Sequence, residues 1–553
     1  MRLKLRKHHK TVLSILLFSL TTVVFATNAG KCGTGQAIQN FIRRGKSITS
    51  PELPFSLSTS HFKLWYDTTG VDKIYPEDTD SNGIPDYIER AGEYLEYSWY
   101  ILIDSLGYRE PLPDTLWLPD TADYGGDEKV DVYFIYMGPG LYGMTEPRDS
   151  ASDSISTKAT AYIKIQSDMT RLENYPDDPY APLKVTCAHE FFHTVQFAYR
   201  FPNSTNYSNF IWWMEATAVF NEEFCFDQVN DYYLYLKEFQ EYPENPLFVI
   251  EAGTVLEYGA VMFPIFLEEF FSTSGARFSG QIIKRIWEVC EYEIPLNATD
   301  IVLDEMGTSL NEVYETFTYW RMRTGQHWQP EFFAEGAEYP LPLSDTITTL
   351  ESDYYDECML KPLATKFYLL PYSDDENGVL ARISSSSEFV SFGLGVITIE
   401  ISESSPMGEF EIAPPDIFTG VAGRWQYRAI VFSPLIYSAP YPTDITINIQ
   451  SSDSLAIPLT MENTIGHPFP NPTTGEYVKF PIDIITPTDI NVRIFTADGT
   501  RIWKYGEHIS LPDYLEIQWD CCNENNTSVS PGVYIYFIQT GNKSQMGKIF
   551  IAK

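Results

Sequence analysis

The residues of this 553-residue chain best suited to chemistry stand together in Cys187-Ala188-His189-Glu190-Phe191-Phe192-His193. Two histidines at i and i+4 of a helix project to one side, so their imidazoles can share one zinc ion at ~2.0–2.1 Å. The glutamate between them falls beside the metal's open position, where it can take a proton from a water. Val185, Ala188, Phe191, Phe192 and Val195 make this a buried helix. Unpaired imidazoles are costly there, so two idle surface histidines fit the pattern poorly. Cys187 reads as a small buried hydrophobe and not as a ligand.

A catalytic zinc keeps three protein ligands and one open position, so a third donor is required. The metzincin pattern would place Gly at 196 and His at 199, but the chain has Gln196 and Tyr199. After a turn-rich loop, Phe201 to Asn209, comes Trp212-Trp213-Met214-Glu215-Ala216-Thr217-Ala218. This segment resembles the W-x-x-E-G-x-A run that carries the third ligand in the gluzincin clan, with Ala216 where glycine is common. The resemblance makes Glu215 the third ligand, brought back over His189 and His193 by a second, antiparallel helix. Glu222 and Glu223 lie about two turns on and read as solvated charges of the helix face. The other reading makes them hydrogen-bond partners of the ligand histidines. Tyr258, in Leu256-Glu257-Tyr258-Gly259-Ala260, stands where gluzincins use a tyrosine or histidine to stabilise an oxyanion. Plain packing is the other reading for one of 37 tyrosines.

A second metal motif is Asp78-Thr-Asp80-Ser-Asn82-Gly83-Ile84-Pro85-Asp86-Tyr87-Ile88-Glu89, which matches D-x-D-x-N-G-x5-E throughout. Calcium would take oxygens from Asp78, Asp80, Asn82, Asp86, the Ile84 carbonyl and a bidentate Glu89, with Gly83 at the sharp turn. An acidic surface turn is the alternative. The segment before Asp78 reads as a loop, so this is a single EF-like loop, similar to those of dockerin or thrombospondin-type repeats. Extracellular modules of this kind bind at roughly 0.1–1 mM, which suits a structural ion.

Together these segments resemble a family of secreted bacterial metalloproteases. Its members combine a D-x-N-G-x-P-D-Y-x-E loop, a D-V-Y-x strand, a Y-G-x-T-x-P turn and an H-E-F-F-H-x-x-Q helix. Here these are Asp80–Glu89, Asp131–Phe134, Tyr142–Pro147 and His189–Gln196, over roughly residues 55–325. The resemblance implies proteolysis of a protein or peptide substrate. The G-x-M-E-N motif of an aminopeptidase is missing, since Met461-Glu462-Asn463 lacks the glycine and lies far downstream.

The elements that must position these residues follow from pattern and punctuation. Strand-like runs (His61–Tyr66, Val130–Tyr136, Ala159–Gln166) alternate with a helical stretch around Tyr87–Leu106, and Pro182 to about Arg323 is helical. The Ala159–Gln166 strand is the expected cleft edge, where an extended substrate adds as a strand. Beyond Gly325, short β-branched and aromatic runs (Lys366–Pro371, Phe389–Ile401, Gln426–Phe432, Asp444–Gln450) read as a β-sandwich. The last strands (Val492–Phe495, Arg501–Lys504, Val533–Ile538) surround an Ala497-Asp498-Gly499 hairpin turn. With Pro468–Gly475 and Gly547–Lys553 they resemble the C-terminal sorting domain of the type IX (Por) secretion system. That family often has W-D-G where this chain has Trp519-Asp520-Cys521. The resemblance implies secretion machinery as a partner; an Ig-like module without sorting function is the alternative.

Composition sets the outer bounds. Acidic residues number 75 against 38 basic ones, a net charge of −37. This opposes binding to nucleic-acid phosphates and to anionic lipid. Arg2 to Lys10 carries five basic side chains, and Thr11–Ala26 is apolar with small residues at Ala26 and Ala29. That pattern reads as a secretory signal peptide, residues 1–29, and no other stretch is long and apolar enough to span a bilayer. Lys31 precedes Cys32 where lipidation needs a small residue. Seven cysteines leave at least one thiol unpaired, and no CxxC spacing occurs.

The expected architecture is multidomain: a signal peptide (1–29), an α+β zincin-like catalytic domain (30–328), an accessory β-sandwich (329–460) and an Ig-like C-terminal domain (461–553). The expected function is a secreted or cell-surface zinc endopeptidase with structural calcium. The alternatives are a calcium-stabilised adhesin on an inactive zincin fold, or a zinc hydrolase of a non-peptide bond.

Overall fold

The computed structural model describes residues 31–551, apart from 46–49, 117–124, 153–155, 173, 176, 252, 273–276, 348–353, 374–377, 386–391, 401–409, 413–416, 421–424, 435–442, 453–463, 467, 470, 472, 474, 485–487, 497–499, 510–512, 525 and 542. The signal peptide, Met461–Asn463 and the Ala497–Gly499 turn lie outside the described residues. The chain is a multidomain protein of mixed α/β and β-rich units.

A first helix, α1 (Thr34–Arg44), leads into strands β1 (Phe55–Ser58) and β2 (Phe62–Tyr66). Helix α2 (Asp86–Trp99) follows and passes into a π-helical turn, Tyr100–Ser105. Strands β3 (Val130–Ile135), β4 (Gly143–Ser152) and β5 (Thr157–Gln166) complete a five-stranded sheet in the order β1-β2-β3-β5-β4. Strands β2, β3 and β5 are parallel neighbours, whereas β4 runs antiparallel to β5. The cleft-edge expectation for Ala159–Gln166 is therefore overturned: β5 is covered on both sides, and β4 is the edge. Alternation identifies a strand but not its neighbours. The features that mark an edge sit on β4, where Pro147 cannot donate to a ladder and the register shifts between Pro147 and Ser150.

Helix α3 (Ala181–Tyr199) lies over this sheet. Pro182 sits in its first turn, where a missing N–H costs nothing. All its residues except Lys184 are buried. Phe191 packs against Phe62 and Trp99 with ring centroids at 5.2 and 5.7 Å. Phe192 packs against Tyr108 at 5.4 Å. A helix gripped on every side holds its functional side chains in one rotational setting. The loop to α4 (Tyr207–Cys225) is pinned by the Asn203 carboxamide oxygen, which accepts from the Thr205 amide at 2.9 Å. Five further helices and one short helical turn carry the chain from α5 (Tyr233–Glu241) through α6 (Leu256–Gly259) to Met322. Phe333, Tyr339, Leu363 and Phe367 belong to the same buried cluster, so this core continues past the texture change near residue 328.

Glu291, following the helix Gln281–Cys290, clips separate segments together. It accepts from Arg109 Nη1 and Nη2 at 2.9 and 2.6 Å and from Lys158 Nζ on β5 at 2.8 Å. The Arg109 bonds, with Lys158 helping, hold its carboxyl at about 2. The unfolded chain binds the extra proton between that value and the ordinary 4.5. The clip's stabilisation is thus present above that window and lost as pH falls through it. The melting temperature of wild type is expected to fall more steeply than that of Glu291→Gln across this window. Parallel curves would show that the clip stabilises nothing.

The remaining units are β-rich. One pairs Phe392–Glu400, Trp425–Pro434 and Lys366–Ser373 in one sheet, and Gly378–Ser385, Thr443–Ser452 and Tyr354–Leu360 in another. The last pairs Arg501–Ile509, Thr488–Thr496, Gly532–Thr540 and Lys543–Ile551 in sequence. Its buried Val478, Phe480, Ile482, Ile490, Val492 and Ile494 alternate along two strands, as a sandwich core requires.

Candidate metal centre

His189 and His193 are both buried, one helical turn apart, with rings 4.8 Å apart. His189 Nδ1 lies 2.6 Å from Glu222 Oε1, and His193 Nδ1 lies 2.8 Å from Gln196 Oε1. The Gln196 amide is itself oriented by donation to the Met214 carbonyl at 2.9 Å. With each Nδ1 so engaged, each Nε2 is turned to a common point. The two Nε2 atoms stand 3.1 Å apart. Glu215 Oε2, from α4, is 3.2 Å from His189 Nε2 and 3.6 Å from His193 Nε2. Cys32 Sγ stands 3.4 Å from His193 Nε2.

These four residues form a group that can hold a metal ion, their donor atoms all within 4.8 Å of one another. A tetrahedral ion with ~2.0–2.1 Å bonds needs donors roughly 3.3 Å apart, so the observed separations fit one. The electrostatics agree. Burial alone would lower the His189 pKa, but hydrogen bonds that its ring donates to Glu215 and Glu222 hold it up at about 10. Burial would raise Glu215, yet the two imidazoles bring it down to about 2.

Glu190 is buried and stands outside this donor group. Its Oε2 accepts from Thr145 Oγ1 on β4 at 2.8 Å and from Thr34 Oγ1 at 3.0 Å. Strand β4 comes so close that a Cβ on Gly143 would fall 2.5 Å from Glu190 Oε1. Tyr258 is buried with its ring beside His189, and its hydroxyl donates to the Cys32 carbonyl at 3.3 Å.

The solvated-face reading of Glu222 and Glu223 is corrected: both are buried. Glu222 orients His189, and α4 is too deeply packed to have a solvated face there. Glu223 belongs to a second acidic group with Asp227 and Glu335, but Arg277 fills it. That guanidinium donates to Asp227 at 3.1 Å and to Glu335 at 3.0 Å, and also reaches Glu223. Cys187 is fully buried, as expected of a small hydrophobe. Cys32 had no signal in the sequence, since it lies 161 positions from His193 and belongs to no spaced motif.

The Asp78–Glu89 loop folds on its own side chains. Asp78 accepts from the Asn82 and Gly83 amides at 3.2 and 3.0 Å, and Asp80 accepts from the Asn82 amide at 3.1 Å. Asn82 accepts from the Ile84 amide at 2.7 Å and donates to Glu89 at 2.7 Å. Gly83 takes φ +89°, which a side chain would strain. Asp86 instead turns to Thr79, accepting from its amide at 3.0 Å and from its hydroxyl. The loop thus gathers Asp78, Asp80, Asn82 and Glu89, and directs Asp86 elsewhere. Its carboxylates are not among the described groups of three donors within 4.8 Å.

No protein-family model and no curated protein matches the chain. Among solved structures, similarity extends to PorZ, a surface component of the type-IX secretion system of Porphyromonas gingivalis (16% identity, 20% of this chain, 14% of that chain, TM-score 0.13). It extends to dimeric latent PorU from the same organism (12% identity, 38% of this chain, 19% of that chain, TM-score 0.16). A β-glucuronidase from glycoside hydrolase family 2 is also similar (9% identity, 34% of this chain, 23% of that chain, TM-score 0.14). The chain spans less than a quarter of each, and likenesses this slight assign it neither fold nor function.

Proposed function

We propose that this protein is an exported zinc-dependent endopeptidase whose catalytic domain is zincin-like. The observation that carries the reading is the convergence of His189 Nε2, His193 Nε2 and Glu215 Oε2, with the buried Glu190 carboxylate beside them. His189, His193 and Glu215 would hold the ion. When bound, zinc supplies Lewis acidity toward the scissile carbonyl and makes a water more acidic. Glu190 takes the proton of the attacking water and delivers it to the leaving amine. The Tyr258 hydroxyl, close to the centre, is the donor for the developing oxyanion. Glu222 and Gln196 keep both imidazoles in the ligating tautomer. The β4 edge is where an extended peptide adds as a strand. The experiment is a digest of denatured protein libraries by the purified protein, with Glu190 intact or replaced by Gln. Cys32→Ser in both arms removes the fourth donor.

The basic-then-apolar N-terminus supports export, and the C-terminal strands resembling a type IX sorting domain support passage to the cell surface or beyond. Among the described residues no helix is long and apolar enough to cross a membrane.

For the Asp78–Glu89 loop the reading is a structural calcium ion held by Asp78, Asp80, Asn82, the Ile84 carbonyl and Glu89. Its support is the match to the twelve-position motif and the convergence of four of its side chains. EGTA is expected to lower the melting temperature of wild type and to leave that of Asp80→Ala unchanged. A flat response in wild type would reduce the loop to an acidic turn.

A further inference from the structure

We propose that Cys32 is a fourth metal ligand and that Lys31–Thr34 occupies the substrate cleft as a built-in inhibitor, so that this fold is a latent form. The inference rests on reading the centre as a zinc peptidase site.

Each group the proposed mechanism needs is already engaged by this one segment. Cys32 Sγ stands 3.4 Å from His193 Nε2, at the fourth corner of the donor group. The Cys32 carbonyl accepts from the Tyr258 hydroxyl at 3.3 Å, the bond proposed for a scissile carbonyl's oxygen. Thr34 Oγ1 donates to Glu190 Oε2 at 3.0 Å, so the base faces a hydroxyl of the chain itself.

The backbone follows the same plan. Tyr142 N–H donates to the Lys31 carbonyl at 2.7 Å, Gly33 N–H donates to the Gly143 carbonyl at 2.9 Å, and Cys32 bridges Gly143 in parallel. The segment therefore adds to β4 as a short strand where a substrate peptide would. Lys31 anchors it: its buried ammonium pairs with Asp231 at 2.8 Å and with Glu222, the carboxylate that orients His189. A cysteine merely packed as a hydrophobe would need none of these polar contacts. As the sulfur binds, the thiol proton goes to solvent and the water at the fourth position leaves. Activation is withdrawal of this segment or chemical capture of the thiol.

The test uses the full chain. Loaded with Co(II) in place of zinc, wild type is expected to show a near-ultraviolet thiolate-to-cobalt charge-transfer band, lost in Cys32→Ser and in Cys32→Ala. Iodoacetamide should alkylate Cys32 slowly in metal-loaded protein and quickly after chelation, read by peptide mass mapping. Hydrolysis of a denatured protein should rise at least ~10-fold in Cys32→Ser, because losing the sulfur contact weakens the segment's hold on the cleft and raises the competent fraction. Absence of the band in cobalt-bound wild type, or equal alkylation with and without metal, overturns the ligation. Equal hydrolysis by wild type and Cys32→Ser overturns the latency and leaves the peptidase standing. The band present with no hydrolysis by either form supports the ligation and removes the peptidase.

Discussion

Replacing Glu190 by Gln in Cys32→Ser protein is expected to lower peptide hydrolysis by ~10²–10⁴-fold, the share that a placed proton acceptor contributes. Bound metal should be unchanged, because Glu190 is not in the donor group formed by Cys32, His189, His193 and Glu215. The fold should be equally indifferent. Glu190 is buried and accepts from two hydroxyls, Thr145 and Thr34, and the amide is nearly isosteric with an oxygen still able to accept. The combination separates chemistry from structure: rate lost, metal and melting temperature kept. An adhesin on the same fold predicts no difference, since neither form would cleave. Undiminished hydrolysis by Glu190→Gln would require another base and undo the mechanism even with the ligands correct.

What the sequence disclosed and what it concealed divide along the range of the interactions. The i, i+4 histidines and the strand runs are local, and their periodicity is visible in any window of a dozen residues. Glu215 is the intermediate case, on the next helix, where a short loop limits the possible geometry. The edge strand was misassigned because alternation in Ala159–Gln166 reports burial of a face and carries no information on strand order. Glu222 was misread because a carboxylate on an acidic chain resembles a surface charge until its partners, His189 and Lys31, are seen. Cys32 was invisible for the same reason, since its role exists only after β4, α3 and α4 have assembled around it.

That assembly gives unequal weights to the two buried glutamates of α4. In Cys32→Ser protein, Glu215→Ala leaves two imidazoles as the remaining donors, and zinc affinity measured by competition with a chromophoric chelator should collapse. Glu222→Ala keeps all three proposed ligands. It removes the partner of His189 Nδ1, for which a loss of ~10–100-fold in affinity is expected. Stability should rank the other way. Glu222→Ala leaves the buried Lys31 ammonium with Asp231 as its one carboxylate partner, and breaking one side of a buried charge pair costs ~3–5 kcal/mol. Glu215 faces two imidazoles, side chains that have a neutral form, so its removal strands no obligatory charge. One variant should therefore lose the metal and the other the melting temperature. Equal zinc affinities in the two would remove Glu215 from the ligand set, whereas equal melting temperatures would mean that Lys31 is held by Asp231 alone.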